Sequence, residues 1–196
     1  MSSFKDKLKH ALWFNEPAKW AWVDDALEVT TGEKTDFWQN TYYDFRRDDG
    51  HFLGITVSGD FTAVLTFDAK YQTLYDQAGL MIRRNAENWV KAGIEFSDGM
   101  TNFSIVITRD GRSDWSVIGV PDLSGPQKIR LTRIGNAIIA HHLNASGWQL
   151  MRLGESQLTT DVLVGPTTCS PQRSGLDVRF LNMELGTPID DPLHAN

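Results

Sequence analysis

The chain has 196 residues, 41% of them hydrophobic and 22% charged, with a net charge of -6. This length can bury a sizeable core within one unit, so residues 1–196 are read as a single domain, with 1–10 forming one polar helical turn or a loose start and 187–196 a loose tail. The acidic balance argues against nucleic acid or an anionic membrane surface as partner, because phosphate binding needs a basic patch.

In chain order, 12–15 and 20–23 read as short strands joined by Glu16-Pro17, and 27–30 as another that ends at Thr31-Gly32. Thr35–Phe45 (TDFWQNTYYDF) is aromatic and irregular, and Arg46–Gly50 reads as a polar turn. His51–Ser58 and Phe61–Asp68 read as a strand pair around Gly59-Asp60. From Tyr75 to Trp115 four segments alternate with a period of two, as half-buried strands do. Their turns fall at Arg84–Asn88, Ser97–Thr101 and Asp110-Gly111. A loop over 120–127, strands over 128–133, 137–143 and 148–153, a Thr/Ser/Pro-rich loop holding Cys169, and a last strand over 176–185 complete the pass. Many short strands, frequent turns and no long helical period predict an all-β sandwich of two antiparallel sheets.

Cys169 is the lone cysteine, which leaves no partner for an internal disulfide and suits a reducing compartment. Lys5, Lys7 and Lys9 interrupt the apolar run a secretory leader would need. No segment approaches the roughly 18 apolar residues of a membrane span. The expected location is the cytoplasm, with no membrane partner.

The hairpin 77–95 fixes the expected site. If five residues, 84–88, form the turn, Gln77 faces Glu95, Gly79 faces Gly93, Met81 faces Lys91 and Arg83 faces Trp89. One face then carries these residues, and the other carries an apolar core of Ala78, Leu80, Ile82, Val90, Ala92 and Ile94. Two opposed glycines in strands mark close approach of a ligand or of another backbone. If that face continues through Asn102, Ser104 and Thr108, a two-residue turn at Asp110-Gly111 pairs Val106 with Trp115 and sets the Trp115 indole over the same face with Asp114 at its rim; a longer turn would exchange the two. An exposed indole beside amide, carboxylate and ammonium groups suits a sugar: its C–H faces stack, and its hydroxyls hydrogen-bond.

Signals of catalysis are few. No Gly-rich phosphate loop, His-Glu-x-x-His, Cys-x-x-Cys or Gly-x-Ser-x-Gly is present. His141 and His142 point to opposite faces of a strand, so neither a metal nor a cofactor is expected, although one of the pair could line the groove. Asp48, Asp49 and Asp60 read as turn residues. Glycoside hydrolysis needs two carboxylates roughly 5–9.5 Å apart. Glu95 is one candidate, and Asp114 or an acid from 35–45 would have to complete the pair.

The run YDQAGLMIRR, NWVKAGIEF, an Ile-Val-Ile-Thr strand and SDWS, with TDFWQNTYYDFRRDDGHF upstream and LDVRF near the end, resembles the regulation-of-enolase protein family. The resemblance spans about Leu12 to Leu185. It implies a concanavalin A-like jelly roll with one concave sheet, as in legume lectins and laminarinase-type glucanases. The Glu-x-Asp-x-x-Glu catalytic run of the latter has no counterpart here.

The leading expectation is a module that binds a carbohydrate or related polar small molecule on the concave face. Trp115 is its platform; Gln77, Lys91 and Glu95 fix hydroxyls or a carboxylate. Asp36, Trp38 and Tyr43 come from a covering loop, Asp114 from the rim and His142 from a neighbouring strand. The alternatives are a regulatory module that docks on a metabolic enzyme and a glycosidase-like hydrolase using Glu95.

Overall fold

The structure, a computed structural model, describes residues 2–120 and 123–194. Pro121 and Asp122 of the expected 120–127 loop, and residues 1, 195 and 196 of the expected loose ends, lie outside the described residues. Two seven-stranded sheets face each other. The first runs β1 (Leu12–Phe14), β6 (His51–Val57), β15 (Val162–Cys169), β8 (Gln77–Asn85), β9 (Asn88–Ser97), β10 (Met100–Arg109), β11 (Arg112–Gly119). The second runs β14 (Gly147–Glu155), β13 (Ala137–Asn144), β12 (Gln127–Ile134), β7 (Phe61–Ala69), β16 (Asp177–Gly186), β3 (Ala26–Thr30), β2 (Lys19–Val23). A small hairpin, β4 (Phe37–Gln39) with β5 (Arg46–Asp48), stands apart from both. Every strand pairing is antiparallel.

Period-two alternation builds the main core. Leu80, Ile82, Val90, Ile94, Phe103 and Ile105 of the first sheet meet Leu65, Phe67, Leu131, Ile138, Val178 and Phe180 of the second, all fully or almost fully buried. The tight turns carry the left-handed backbone that two-residue hairpins demand: Asp98 and Gly99 have φ of 53° and 77°, Asp110 and Gly111 of 47° and 71°.

Four expectations change. β6 and β7 do not pair; the Gly59-Asp60 corner carries the chain from the first sheet to the second. Arg46–Asp48 is strand β5, not turn, because it pairs with β4 through Phe37↔Asp48, Trp38↔Arg47 and Gln39↔Arg46. Cys169 ends central strand β15, not a loop. The start of the chain forms helix α1 (Phe4–Lys7), capped by Ser3, whose hydroxyl accepts from Asp6 N at 3.1 Å. Phe4 and Leu8 are buried in the main core, so this end is anchored. The other end is tied where Ile189 N donates to Thr62 Oγ1 at 3.1 Å.

A cleft at the open end of the first sheet

The hairpin register is Gln77↔Glu95, Gly79↔Gly93, Met81↔Lys91 and Arg83↔Trp89, as the sequence predicts, followed by a bulge between Arg83 and Asn85. Asn102↔Glu95, Ser104↔Gly93 and Val106↔Lys91 extend that face to β10, and Val106↔Trp115 extends it to β11. These residues point away from the second sheet.

Half of the face is covered. Phe37 of β4 packs with Phe52, Met81, Trp89, Val106 and Cys169 into a second small core. Arg83 seals its edge: its guanidinium grips Asp48 of β5 with two 2.8 Å hydrogen bonds and lies 4.1 Å from the Phe14 ring centroid. The hairpin is fastened across the sheet. Asn15 Nδ2 donates to Asp48 O at 2.8 Å, Gln39 N to Ser113 Oγ at 2.9 Å, and Asn40 Nδ2 to Gly111 O at 2.7 Å.

The glycine pair records the approach of backbone to backbone. A Cβ on Gly79 would lie 2.1 Å from Ala92 O and 2.5 Å from Gly93 Cα, and one on Gly93 would lie 2.1 Å from Ala78 O. No side chain fits between these strands, whether or not a ligand lies above them.

Beyond the covering hairpin a cleft of about 140 Å³ stays open. Its floor is Gln77, Lys91, Glu95 and Val106; its walls are Asp36, Trp38, Tyr43, Phe45, Tyr75 and Trp115, with Pro171 and Gln172 at one side. The aromatic rings touch in series. Trp38 and Tyr43 lie 5.8 Å apart edge to face, the Tyr43 and Tyr75 hydroxyls 3.3 Å apart, and Tyr75 and Trp115 6.4 Å apart edge to face. Tyr75 holds a φ of 66°, which is uncommon and costly for a bulky residue. The adjoining loop adds left-handed Asn40, Tyr42 and Asp44 at 58°, 64° and 53°.

The polar groups are buried and linked. Trp115 Nε1 donates to Ser104 Oγ at 3.0 Å, and Ser104 Oγ donates to Glu95 Oε2 at 3.0 Å. Lys91 Nζ donates to Phe37 O at 2.9 Å and to Asp36 Oδ1 at 3.3 Å. Burial pushes the Glu95 carboxyl up to about 7 against the pull of Lys91 and the Ser104 hydrogen bond. Burial alone would lower the Lys91 pKa, yet Asp36, with weaker help from other acidic groups, carries it above its ordinary value. The hydrogen bond to Tyr43, aided by burial, lifts the Tyr75 phenol to about 12. Burial raises the Cys169 thiol well above its usual range, which leaves it an unreactive core thiol.

Of the residues expected from the sequence, Gln77, Lys91, Glu95, Trp115, Asp36, Trp38 and Tyr43 meet in this cleft. Asp114 and His142 do not. Asp114 pairs across from core residue Ile107, so it faces opposite to Trp115, and it binds Arg152 Nη2 at 2.7 Å. His142 lies between the sheets, 6.1 Å from the Phe103 ring and with Nε2 3.0 Å from Gln127 Oε1. His141 is buried too, and burial pushes its imidazole down to about 4. Neither histidine lines the cleft. Among the described residues no cluster of three or more His, Cys, Asp or Glu could hold a metal. Tyr75, Phe45, Pro171 and Gln172 went unforeseen. Tyr75 does open the alternating run that marked the site, and parity with Gln77 was a usable signal for it.

The architecture is therefore a jelly-roll β-sandwich with one aromatic-walled cleft on its first sheet. A family model described as "Protein of unknown function (DUF1349)" matches residues 13–188, and the chain belongs to this family. "Regulation of enolase protein 1" of Saccharomyces cerevisiae is 38% identical over 195 residues, 99% of this chain and 98% of that protein, in keeping with the resemblance read from the sequence. A crystal structure of a functionally unknown protein from the same yeast superposes with a TM-score of 0.88 at 38% identity, covering 93% of this chain and 98% of the other. A structure described as "Bacteroides ovatus Xyloglucan PUL GH43B" superposes with a TM-score of 0.68 at 16% identity, covering 86% of this chain and 34% of that one. That last likeness is one of fold. Among the described residues no helix is long and apolar enough to cross a membrane.

Proposed function

We propose that this chain is a binding module that takes a carbohydrate or a related polar small molecule in the cleft. One observation carries the reading: five aromatic rings, Trp38, Tyr43, Phe45, Tyr75 and Trp115, converge on a cleft whose polar floor is Gln77, Lys91 and Glu95. Ligand sites of this kind combine apolar walls with a few convergent polar groups. Trp115, a residue 37% exposed and fixed by its bond to Ser104, offers a ring face for sugar C–H groups. Glu95, Gln77 and Lys91 address hydroxyls beneath it. Calorimetric titration against a saccharide panel tests this. At least one member binds, and Trp115→Ala weakens it about tenfold or more. Absence of binding, or binding indifferent to Trp115, contradicts the reading.

The hydrolase reading would use two carboxyls, and Glu95 and Asp36 both line the cleft. Glu95 is protonated in part near neutrality, and Asp36 is a second carboxyl beside it, tied to Lys91. Any turnover of a glycoside that survives Glu95→Gln unchanged would exclude Glu95 as its acid.

A second reading, regulatory docking on a metabolic enzyme, follows the name of the yeast relative and has one structural support. Tyr42, at the tip of the loop beside the cleft, is 92% exposed and stacked edge-on against Tyr43 at 5.0 Å. Exposed aromatics of this kind anchor protein interfaces. If it docks on an enolase, added protein alters enolase turnover and Tyr42→Ala abolishes the effect; unaltered turnover across a wide concentration range contradicts it.

A further inference from the structure

We infer that the cleft accepts one uncharged sugar ring, or a polyol of that size, and discriminates against both extended glycan chains and sugar phosphates. The inference rests on the binding reading above and deepens it.

Size comes first. The open volume is about 140 Å³, below the roughly 300–1,000 Å³ of sites for drug-sized ligands. A glycan chain lying across the sheet would have to pass the β4–β5 hairpin. That hairpin is fastened at one side through Asn15 and Arg83 and at the other through Ser113 and Gly111. Beneath it Phe37, Met81, Trp89 and Cys169 are buried, and the hollow that continues over the paired Gly79 and Gly93 toward Thr168 and Cys169 holds only about 20 Å³, too little for a second sugar ring. At the open end Tyr75 meets both Tyr43 and Trp115, which fences the mouth. The cleft ends within the sheet instead of crossing it.

Charge comes second. Among the described residues that line the cleft, Lys91 is the single cation, against the carboxyls of Asp36 and Glu95. Its ammonium already serves Asp36 Oδ1 and Phe37 O. Arg173, close to the Pro171–Gln172 side, is committed to the buried Asp76 through contacts of 2.5–3.1 Å. A phosphate ester would therefore bring about two negative charges beside two acidic groups and one neutralised cation. Such like-charge juxtaposition is strongly unfavourable in a desolvated site. Hydroxyls suit these groups better, since they both donate to carboxylates and accept from an ammonium.

The test is isothermal titration at pH 7.5 and low salt with three probe sets: neutral aldohexoses and aldopentoses, their phosphate esters, and linear tetrasaccharides of the same sugars. The neutral monosaccharide that binds does so at least about tenfold more tightly than its phosphate ester, and affinity does not rise from monomer to tetramer. Asp36→Asn narrows the gap between neutral and phosphorylated sugar. A phosphate ester that binds equally well, an unchanged gap in Asp36→Asn, or an affinity that climbs tenfold with chain length overturns this inference and leaves the binding reading standing. Silence from all three probe sets overturns both.

Discussion

Glu95 is the residue whose chemistry most directly exposes the site. Its folded pKa of about 7 lies above its ordinary 4.5 because it is buried. Between those values the folded state holds a proton that the unfolded chain has released, so stability falls as pH rises through this window, and the penalty is complete above pH 7. Full linkage sets an upper bound of about 3 kcal/mol. Glu95→Gln keeps an acceptor for Ser104 and removes the titration. Thermal melts from pH 4.5 to 8.5 should show the variant gaining on the wild type as pH rises; parallel curves would mean that Glu95 is solvated. Gly79 makes a second prediction. A methyl group there meets backbone on the facing strand, so Gly79→Ala destabilises by about 3 kcal/mol or more in denaturant titration. Gly186→Ala is the control, since a Cβ there meets nothing within 4 Å. A Gly79→Ala variant as stable as that control would show that the strands can part at no cost.

At the scale of elements, the β4–β5 hairpin shapes the site by covering half of a sheet face. Its anchor is the Arg83–Asp48 pair, with the Arg83 side chain 6% exposed. Asp48→Ala leaves that guanidinium buried without its carboxylate, a change that costs about 3–5 kcal/mol. Hydrogen exchange should then accelerate over residues 36–48 more than in the strands beneath. Uniform exchange would mean that the hairpin stands without the pair. This element was only half legible in the sequence. Asp36, Trp38 and Tyr43 were recognisable as a covering loop from their aromatic-acidic mixture, but Arg46–Asp48 looked like a turn because every residue in it is charged. Its strand form depends on pairing with Phe37–Gln39, a contact that no local pattern encodes. Strand β15 was hidden for a similar reason. Pro166 within it signals a break in a strand, yet it sits opposite Leu80 in the middle of the first sheet, between Val164↔Ile55 and Thr167↔Phe52 on its other side.

At the scale of the molecule, alternation was informative wherever one face of a strand met the main core. It gave the two-sheet class and the pairings of β8 with β9 and of β10 with β11, whereas the turn expected over Ser97–Thr101 shrinks to Asp98-Gly99 because Ser97 pairs with Met100. The pairing of β6 failed because a turn between strands does not say whether the chain stays in one sheet or crosses to the other. Asp114 failed as a site residue because register places Trp115 and its neighbour on opposite faces. His142 failed because its side chain is satisfied inside the sandwich by Gln127, a partner far from it in sequence. The cleft thus arises from two levels: a legible strand register supplies Gln77, Lys91, Glu95 and Trp115, and a long-range covering element decides how much of that face stays open.

The measurement that bears most directly on this account is a two-dimensional NMR titration of the labelled protein with neutral monosaccharides. Shifts should concentrate on Gln77, Lys91 and Glu95, the Trp115 indole, Tyr43 and Tyr75, and leave the outer face of the second sheet unmoved. Shifts centred on that second sheet, or none for any sugar at saturating concentration, would contradict a carbohydrate site in this cleft.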